Sequence, residues 1–246
     1  MMSQHITLST TIMAFVGGFL PALIWLWFWL KEDEDPEPRH LILLAFVAGM
    51  LAIPVALFFE KLLLQEFLPL IRHPGGSLST LASAGTLLLG SAFIEECAKL
   101  LAVAIFIFWR VEYDEPADAM IYMITAALGF AAFENALYLQ KPFAYEIFQG
   151  LTVINLRFIG ATLLHALSSG FLGYFIAKAF LQGKIRKEIA ILIGLILATL
   201  LHALFNLSIL VTGFVGGSSI EPALAILIAA GVLILFSFER IKHTIH

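Results

Sequence analysis

The sequence predicts an all-α membrane protein, a bundle of about seven transmembrane helices with a polar site near the bilayer midplane. The first observation is composition: 61% of the 246 residues are apolar and 13% are charged, against roughly 45–50% and about 25% in soluble domains. The second is that the apolar residues form seven stretches long enough to cross a hydrocarbon core of about 30 Å as helices. The third is a group of ionisable residues inside those stretches. An ordinary soluble domain is therefore excluded.

The seven spans follow one another with short connections, so residues 1–246 are expected to form a single integral-membrane domain. The predicted spans are 6–30, 41–59, 80–108, 119–140, 151–180, 189–212 and 222–238. No Lys or Arg precedes the first span, unlike a cleavable secretory signal, so this span is expected to remain in the mature protein. It ends at the acidic run 32–37, which we interpret as a solvated loop.

The basic residues outside the spans predict the orientation of the chain. Nine fall on one side and three on the other, and cytoplasmic loops are the ones enriched in Lys and Arg. The nine are Lys31, Arg39, Arg110, Lys178, Lys184, Arg186, Lys187, Arg240 and Lys242, and the three are Lys61, Arg72 and Lys141. We therefore expect a multi-pass protein of the bacterial cytoplasmic membrane, with the N-terminus outside and the C-terminus in the cytoplasm. A net charge of −4 without a basic cluster gives no reason to expect nucleic acid as a partner.

The third span contains three charged residues, Glu95, Glu96 and Lys99, close to its middle. A charged side chain at the bilayer centre costs roughly 2.5–3.5 kcal/mol on insertion scales, so such residues are rare unless they are paired or functional. Glu95 and Lys99 are four residues apart and share a helix face, which allows an ion pair. Glu96 is rotated by about 100° from Glu95 and need not join that pair.

The next three spans carry narrow polar stripes at a similar depth. The stripes are Phe130, Glu134 and Tyr138 with Asn135 beside them, then Arg157, Ala161, His165 and Ser169, and finally Thr199, His202 and Asn206. At a rise of 1.5 Å per residue, the Glu and His positions agree in height with Glu95 to within roughly 10 Å. Four helices can therefore direct these side chains toward one interior site. One buried His is usually a satisfied hydrogen-bonding group, but two His at the depth of three Glu favour a functional site.

The residue types in this cluster favour activation of water. A buried Glu can act as a general base, and a His can act as an acid or stabilise an oxyanion. The same residues can bind zinc, with Glu95, Glu134, His165 and His202 as the candidate ligands. Spacing does not choose between zinc and metal-free glutamate catalysis, because the candidates come from different spans and there is no His-Glu-x-x-His helix. Both mechanisms stay open.

These residues carry a resemblance to the PrsW family of glutamate-dependent intramembrane proteases, within the superfamily of type II CAAX prenyl endopeptidases. The matching motifs are Glu95-Glu96-x-x-Lys99, Phe130-x-x-x-Glu134 followed by Asn135, His165, and His202-x-x-x-Asn206. Two loop motifs also match, Asp35-Pro36-Glu37-Pro38 and Glu115-Pro116-x-Asp118. The similarity extends from about residue 20 to 210. The positions of Lys99 and Glu134 differ from the CAAX branch and favour the PrsW branch.

The resemblance implies an intramembrane endopeptidase in which Glu95 or Glu96 activates water. It also implies that His202 and Asn206 stabilise the oxyanion. The other residues of the site are His165 and Glu134, with Lys99, Asn135 and Arg157 in supporting positions. The implied substrate is a single-pass membrane protein of the anti-sigma-factor class, which meets the enzyme in the lipid bilayer.

Two other classes of function fit the same cluster. A proton-coupled transporter or channel also uses Glu and His residues at the midplane as a relay. Such a protein would be expected to have paired broken helices or inverted repeats, which the sequence does not display. A non-catalytic membrane scaffold with the same fold is the third possibility, because a sequence alone does not demonstrate turnover.

Overall fold

The computed structural model describes residues 6–33, 35–72, 77–214 and 221–242, which contain eight α-helices and no β-strand. The helices are α1 Leu8–Trp29, α2 Arg39–Arg72, α3 Ser77–Phe106, α4 Pro116–Tyr145, α5 Ile147–Ile159, α6 Ala161–Lys178, α7 Lys184–Phe214 and α8 Glu221–Lys242. The predicted fold class, an all-α membrane protein, is confirmed.

Within the described ranges, six helical segments are long and apolar enough to cross a membrane. They are Leu8–Trp29, Arg39–Glu66, Pro116–Tyr145, Ile147–Lys178, Lys184–Val211 and Glu221–Lys242. Helix α3 is not one of the six, although its 30 residues make it about 45 Å long. It differs from the others in carrying Glu95, Glu96 and Lys99 within little more than one turn.

Helix α4 lies at the centre of the bundle, against α1, α2 and α6. Residues 116–132 are buried without exception, and many of them are small, which lets neighbouring helices approach closely. At Gly129 a side chain would collide with the backbone of Phe46 in α2, and at Gly49 of α2 it would collide with the backbone of Ala126. Two glycines thus permit backbone contact between α2 and α4, and this contact fixes the position of α4 in the bundle.

The fifth predicted span, 151–180, contains a break that the sequence analysis did not predict. The chain forms α5 and α6 there, separated by Gly160, whose φ of −82° and ψ of −91° are not helical. A Cβ atom at this position would lie 2.7 Å from the carbonyl oxygen of Leu156, so glycine suits the bend. The apolar pattern continues through the break, and for that reason hydropathy predicts a single helix there.

Candidate active site

Side chains from four helices meet in the interior of the bundle, as the polar stripes predicted. The residues in mutual contact are Glu95, Glu96 and Lys99 of α3, Glu134 of α4, His165, Ser168 and Ser169 of α6, and His202 of α7. Apart from Glu134 they are all buried. The two glutamates of the first motif have very different surroundings.

Glu96 is completely buried, and its carboxylate accepts four hydrogen bonds. Its Oε1 atom accepts from Lys99 Nζ at 2.8 Å, from Ser168 Oγ at 2.9 Å and from His202 Nδ1 at 2.9 Å. Its Oε2 atom accepts from Ser169 Oγ at 2.7 Å. A carboxylate bonded in this way is held in one position and has little remaining capacity to take a proton.

The ion pair on α3 differs from the one that the sequence allowed. Lys99 pairs with Glu96, three residues away, and not with Glu95. Residues three apart on a helix are neighbours just as residues four apart are, so both pairings are allowed by the helix itself. Lys99 Nζ also donates to His165 Nδ1 at 2.9 Å, so the ammonium group joins α3 to α6.

Glu95 is the carboxylate that can still accept a hydrogen bond or a proton. Its Oε2 atom is buried and has no hydrogen-bond partner among the described residues. That atom lies 3.8 Å from His165 Nδ1 and 3.8 Å from His202 Nε2. Glu95, His165 and His202 each offer one donor atom, and these atoms all lie within 4.8 Å of one another. We call these three residues the Glu95 centre.

The hydrogen bonds define the tautomer of each histidine. An ammonium group only donates, so His165 Nδ1 accepts from Lys99, and the proton of the ring is on Nε2. That Nε2–H donates to Glu134 Oε2 at 3.0 Å. In His202 the proton is on Nδ1, which donates to Glu96, and Nε2 therefore faces Glu95 with its lone pair. Each imidazole is oriented by a carboxylate, as is common for catalytic and metal-binding histidines.

Glu134 lies at the open edge of the site, where its side chain is 33% exposed. Arg157 of α5 donates through Nη2 to Glu134 Oε2 at 2.9 Å and through Nε to Asn135 Oδ1. Asn135 Nδ2 donates in turn to Thr162 Oγ1 at 2.9 Å, and the guanidinium group stacks over the ring of Tyr138 at 4.3 Å. Arg157 thus fastens α5 to α4 beside the entrance to the site.

The structure differs from the sequence-based prediction at two residues near the cluster, Asn206 and Glu60. Asn206 lies one helical turn beyond His202 and is half-buried, but it does not hydrogen-bond to the cluster within the described part of the chain. The second predicted span stops at residue 59, just before Glu60, whereas α2 continues to Arg72 and the Glu60 carboxyl hydrogen-bonds to that of Glu95. Glu60 is followed by Lys61, and because an adjacent pair of charges is typical of a span end, nothing in the sequence predicts this contact.

The two loop motifs meet each other rather than the Glu95 centre. Tyr122 donates a short hydrogen bond to Glu37, and Glu37 also hydrogen-bonds to Asp118. Asp118 accepts from the backbone N–H groups of Asp114 at 2.9 Å and Glu115 at 2.8 Å, which caps the start of α4. Burial raises the pKa of Glu37. The Asp118 position is about 24 Å from Glu134 along α4, so these motifs organise a helix end.

The chain is similar to one known protein family. A family model described as PrsW family intramembrane metalloprotease matches residues 37–236. The chain belongs to the PrsW family. The resemblance predicted from the motifs is thus confirmed, and with it the assignment to a family of multi-pass intramembrane proteases.

Several curated proteins named Protease PrsW are similar to the chain. The protein of Geobacillus kaustophilus is 29% identical over 61% of this chain and 59% of its own length. The Bacillus subtilis protein is 27% identical over 69% of each chain, and that of Oceanobacillus iheyensis is 26% identical over 77% of this chain and 79% of its own. The matched region is thus less than two thirds of the Geobacillus protein. No solved structure matches the chain significantly.

The Glu95 centre fits the divalent cation that the family description implies. Two imidazoles and one carboxylate are a common ligand set of catalytic zinc, and Glu95 Oε2 is buried without a hydrogen-bond donor. Tetrahedral zinc ligands lie about 3.3–3.6 Å from one another, close to the 3.8 Å separations of this centre. Glu134, a candidate ligand from the sequence, is not part of this group of three.

Proposed function

We propose that the chain is an endopeptidase that cleaves a peptide bond in a single-pass membrane protein of the anti-sigma-factor class, and that Glu95 accepts a proton from the attacking water. One observation carries the assignment to Glu95: its buried Oε2 has no hydrogen-bond partner among the described residues and faces two imidazole nitrogens at 3.8 Å. Glu96, by contrast, is fully hydrogen-bonded. The family assignment supports the reaction class.

In the proposed reaction, the proton that the Glu60–Glu95 hydrogen bond requires resides on Glu60. The Glu95 carboxylate takes one proton from water, and the resulting hydroxide attacks the scissile carbonyl carbon. The Nε2 atom of His202, unprotonated while Nδ1 donates to Glu96, accepts a hydrogen bond from the water and directs it. In this tautomer His202 cannot donate to the oxyanion, which is the role that the resemblance implied. The amide of Asn206 donates to the oxyanion that forms on the carbonyl oxygen. When the C–N bond breaks, Glu95 returns the proton to the leaving nitrogen. General base catalysis of this kind contributes roughly 10²–10⁴-fold.

The remaining residues hold this arrangement. Lys99 neutralises Glu96 and donates a hydrogen bond to Nδ1 of His165. Glu134 orients His165 from the opposite side of the ring. Arg157 and Glu134 are partly exposed, at 16% and 33%, and are the polar groups that a substrate backbone entering the site would meet first.

A second candidate mechanism is metal-assisted hydrolysis, which the three converging donor atoms of the Glu95 centre favour. Glu95, His165 and His202 would then be the ligands. A bound divalent cation supplies a water of lowered pKa and polarises the scissile carbonyl. His202 is prepared for this role because Glu96 holds its Nδ1 proton, while His165 must release its bond to Lys99.

The experiment is cleavage of a single-pass substrate reconstituted with the full chain in proteoliposomes, with Glu95→Gln as the test variant and Glu66→Gln of the exposed α2 surface as the control. We expect product with the parent chain and the control, and none with Glu95→Gln. Proton flux across the same vesicles without any cleavage would instead identify a proton-coupled transporter or channel. An inert chain that binds a partner stably would identify a scaffold.

Metal analysis separates the two mechanisms. If Glu95 is a metal-free base, chelator treatment leaves cleavage unchanged and the purified chain contains no stoichiometric cation. If the Glu95 centre holds a cation, the chelator abolishes cleavage and the metal content falls in His202→Ala, while the Glu66→Gln control retains it.

We also propose that the protein lies in the bacterial cytoplasmic membrane with its C-terminus in the cytoplasm. The unequal distribution of Lys and Arg supports this orientation. Cysteines introduced one at a time at exposed Gln182 and Gln149, in a Cys97→Ser background, are to be labelled in intact cells with an impermeant thiol reagent. Labelling at 149 but not at 182 supports the orientation, and the reverse pattern contradicts it.

A further inference from the structure

A cavity with a basic rim lies where α6 ends and α7 begins. Its volume is about 250 Å³. The polar residues that line it are Lys178, Gln182 and Arg186, and the apolar ones include Phe175, Ile189 and Ile193. The two membrane-spanning segments that form it end at Lys178 and begin at Lys184. The cavity is therefore at the level of the membrane surface, and its apolar wall continues toward the hydrocarbon core.

The charge of this connection contradicts the local preference of a helix start. Residues 178–187 contain four basic residues and no acidic one, and three of the four, Lys184, Arg186 and Lys187, begin α7. The positive end of the helix dipole favours acidic residues at such a position. The next residue, Glu188, pairs with Lys184 across 3.9 Å on an exposed face, away from the cavity lining. These four residues are among the nine that predict the cytoplasmic side, and they leave positive charge beside the cavity without an acidic residue to balance it in 178–187.

We propose that this cavity binds the headgroup of an anionic phospholipid. Lys178 and Arg186 would contact the phosphate, since basic pockets between transmembrane helices commonly bind anionic headgroups and Arg binds phosphate through two hydrogen bonds. Gln182 adds an amide donor at the rim, and an acyl chain would lie along Phe175, Ile189 and Ile193. Such a lipid would bridge α6 and α7, the helices that carry His165 and His202. The proposal does not depend on proteolytic activity.

The test is lipid binding by the purified full chain, measured by native mass spectrometry with phosphatidylglycerol and with phosphatidylcholine of identical acyl chains. The test variant is Lys178→Gln with Arg186→Gln. The matched control is Lys184→Gln with Lys187→Gln, which removes the same charge from the same connection but from residues that do not line the cavity. A direct hydrogen bond to a charged group changes affinity by roughly tenfold or more, so we expect the test variant, which loses the contacts to the phosphate, to bind phosphatidylglycerol at least about tenfold more weakly.

The control is expected to keep most of the preference for phosphatidylglycerol. Equal losses in both double variants would overturn the proposal, because the effect would then come from the general positive charge of the connection. Equal binding of the two lipids by the parent chain would also overturn it. Inorganic phosphate is the third probe, and competition by phosphate alone at lipid-like concentrations would identify a phosphate site without a role for the acyl chain.

Discussion

Replacement of Glu96 by Gln is expected to destabilise the fold far more than the same change at Glu95. Glu96 accepts four hydrogen bonds from buried donors, and Lys99, which is 0% exposed, neutralises its charge. Glutamine keeps one acceptor oxygen and replaces the other with an amide that can only donate. The amide can donate to the Ser169 hydroxyl, which is also an acceptor, so the main loss is the negative charge: the Lys99 ammonium remains buried without its ion-pair partner.

The size of this effect follows from the burial of both partners. Removal of one member of a buried ion pair costs about 3–5 kcal/mol. For a chain of this size, each kcal/mol lowers the melting temperature by about 2–4 °C, so Glu96→Gln should melt about 6–20 °C below the parent. At Glu95 no donor to Oε2 is lost, and a glutamine amide can donate to Glu60. We expect Glu95→Gln to melt within about 4 °C of the parent, the equivalent of roughly 1 kcal/mol.

The single cysteine provides the assay. Cys97 lies next to Glu96 on α3 and is only half-buried. The rise in its reaction with a fluorogenic thiol reagent on heating measures unfolding of the purified chain in detergent, and a Cys97→Ser variant gives the background. Equal melting temperatures for Glu95→Gln and Glu96→Gln would refute the division of roles between the two carboxylates.

Three further outcomes follow from other parts of the molecule. Gly129→Ala forces α4 away from the α2 backbone and should lower the free energy of unfolding by about 1–3 kcal/mol. Gly231→Ala in α8, which has open space around it, should be neutral or slightly stabilising, and equal melting temperatures for the two variants would contradict the close packing of α2 and α4. Burial raises the pKa of Asp33 in the α1–α2 loop to about 6. The folded state then binds the Asp33 proton more tightly, so the parent loses stability as pH rises from about 4 to about 6. Asp33→Asn should melt higher than the parent above pH 6 and equally near pH 4, and a constant difference would contradict this cause. Arg157→Lys keeps the charge but cannot bond Glu134 and Asn135 through separate nitrogens. We expect its melting temperature to be lower than that of the parent by about 3–12 °C, and an unchanged melting temperature would contradict the role of Arg157 in joining α5 to α4.

The helices and the composition of the site followed from hydropathy and from the cost of charge in a membrane. Every ionisable residue that the sequence singled out in the third to sixth spans lies at or beside the cluster, since charged residues at this depth are rare unless they are paired or functional. The break at Gly160 did not follow, because a bend between two apolar helices leaves the hydropathy unchanged.

The pairing of the charges was the other feature that the sequence left open. Both Glu95 and Glu96 are within one turn of Lys99, and helix geometry alone does not decide which of them forms the ion pair. The choice depends on α6 and α7, which supply Ser168, Ser169 and His202 as further donors to Glu96. Glu60 illustrates the same limit, because its contact with Glu95 depends on how far α2 extends past the predicted end of its span.

The rate of substrate cleavage by Glu95→Gln, measured on protein with a parent-like melting temperature, tests the central claim most directly. The Glu95 centre is proposed as the place where water is activated, so the substitution should lower the single-turnover rate by at least about 10²-fold. A folded Glu95→Gln chain that cleaves within a few-fold of the parent rate would contradict the account.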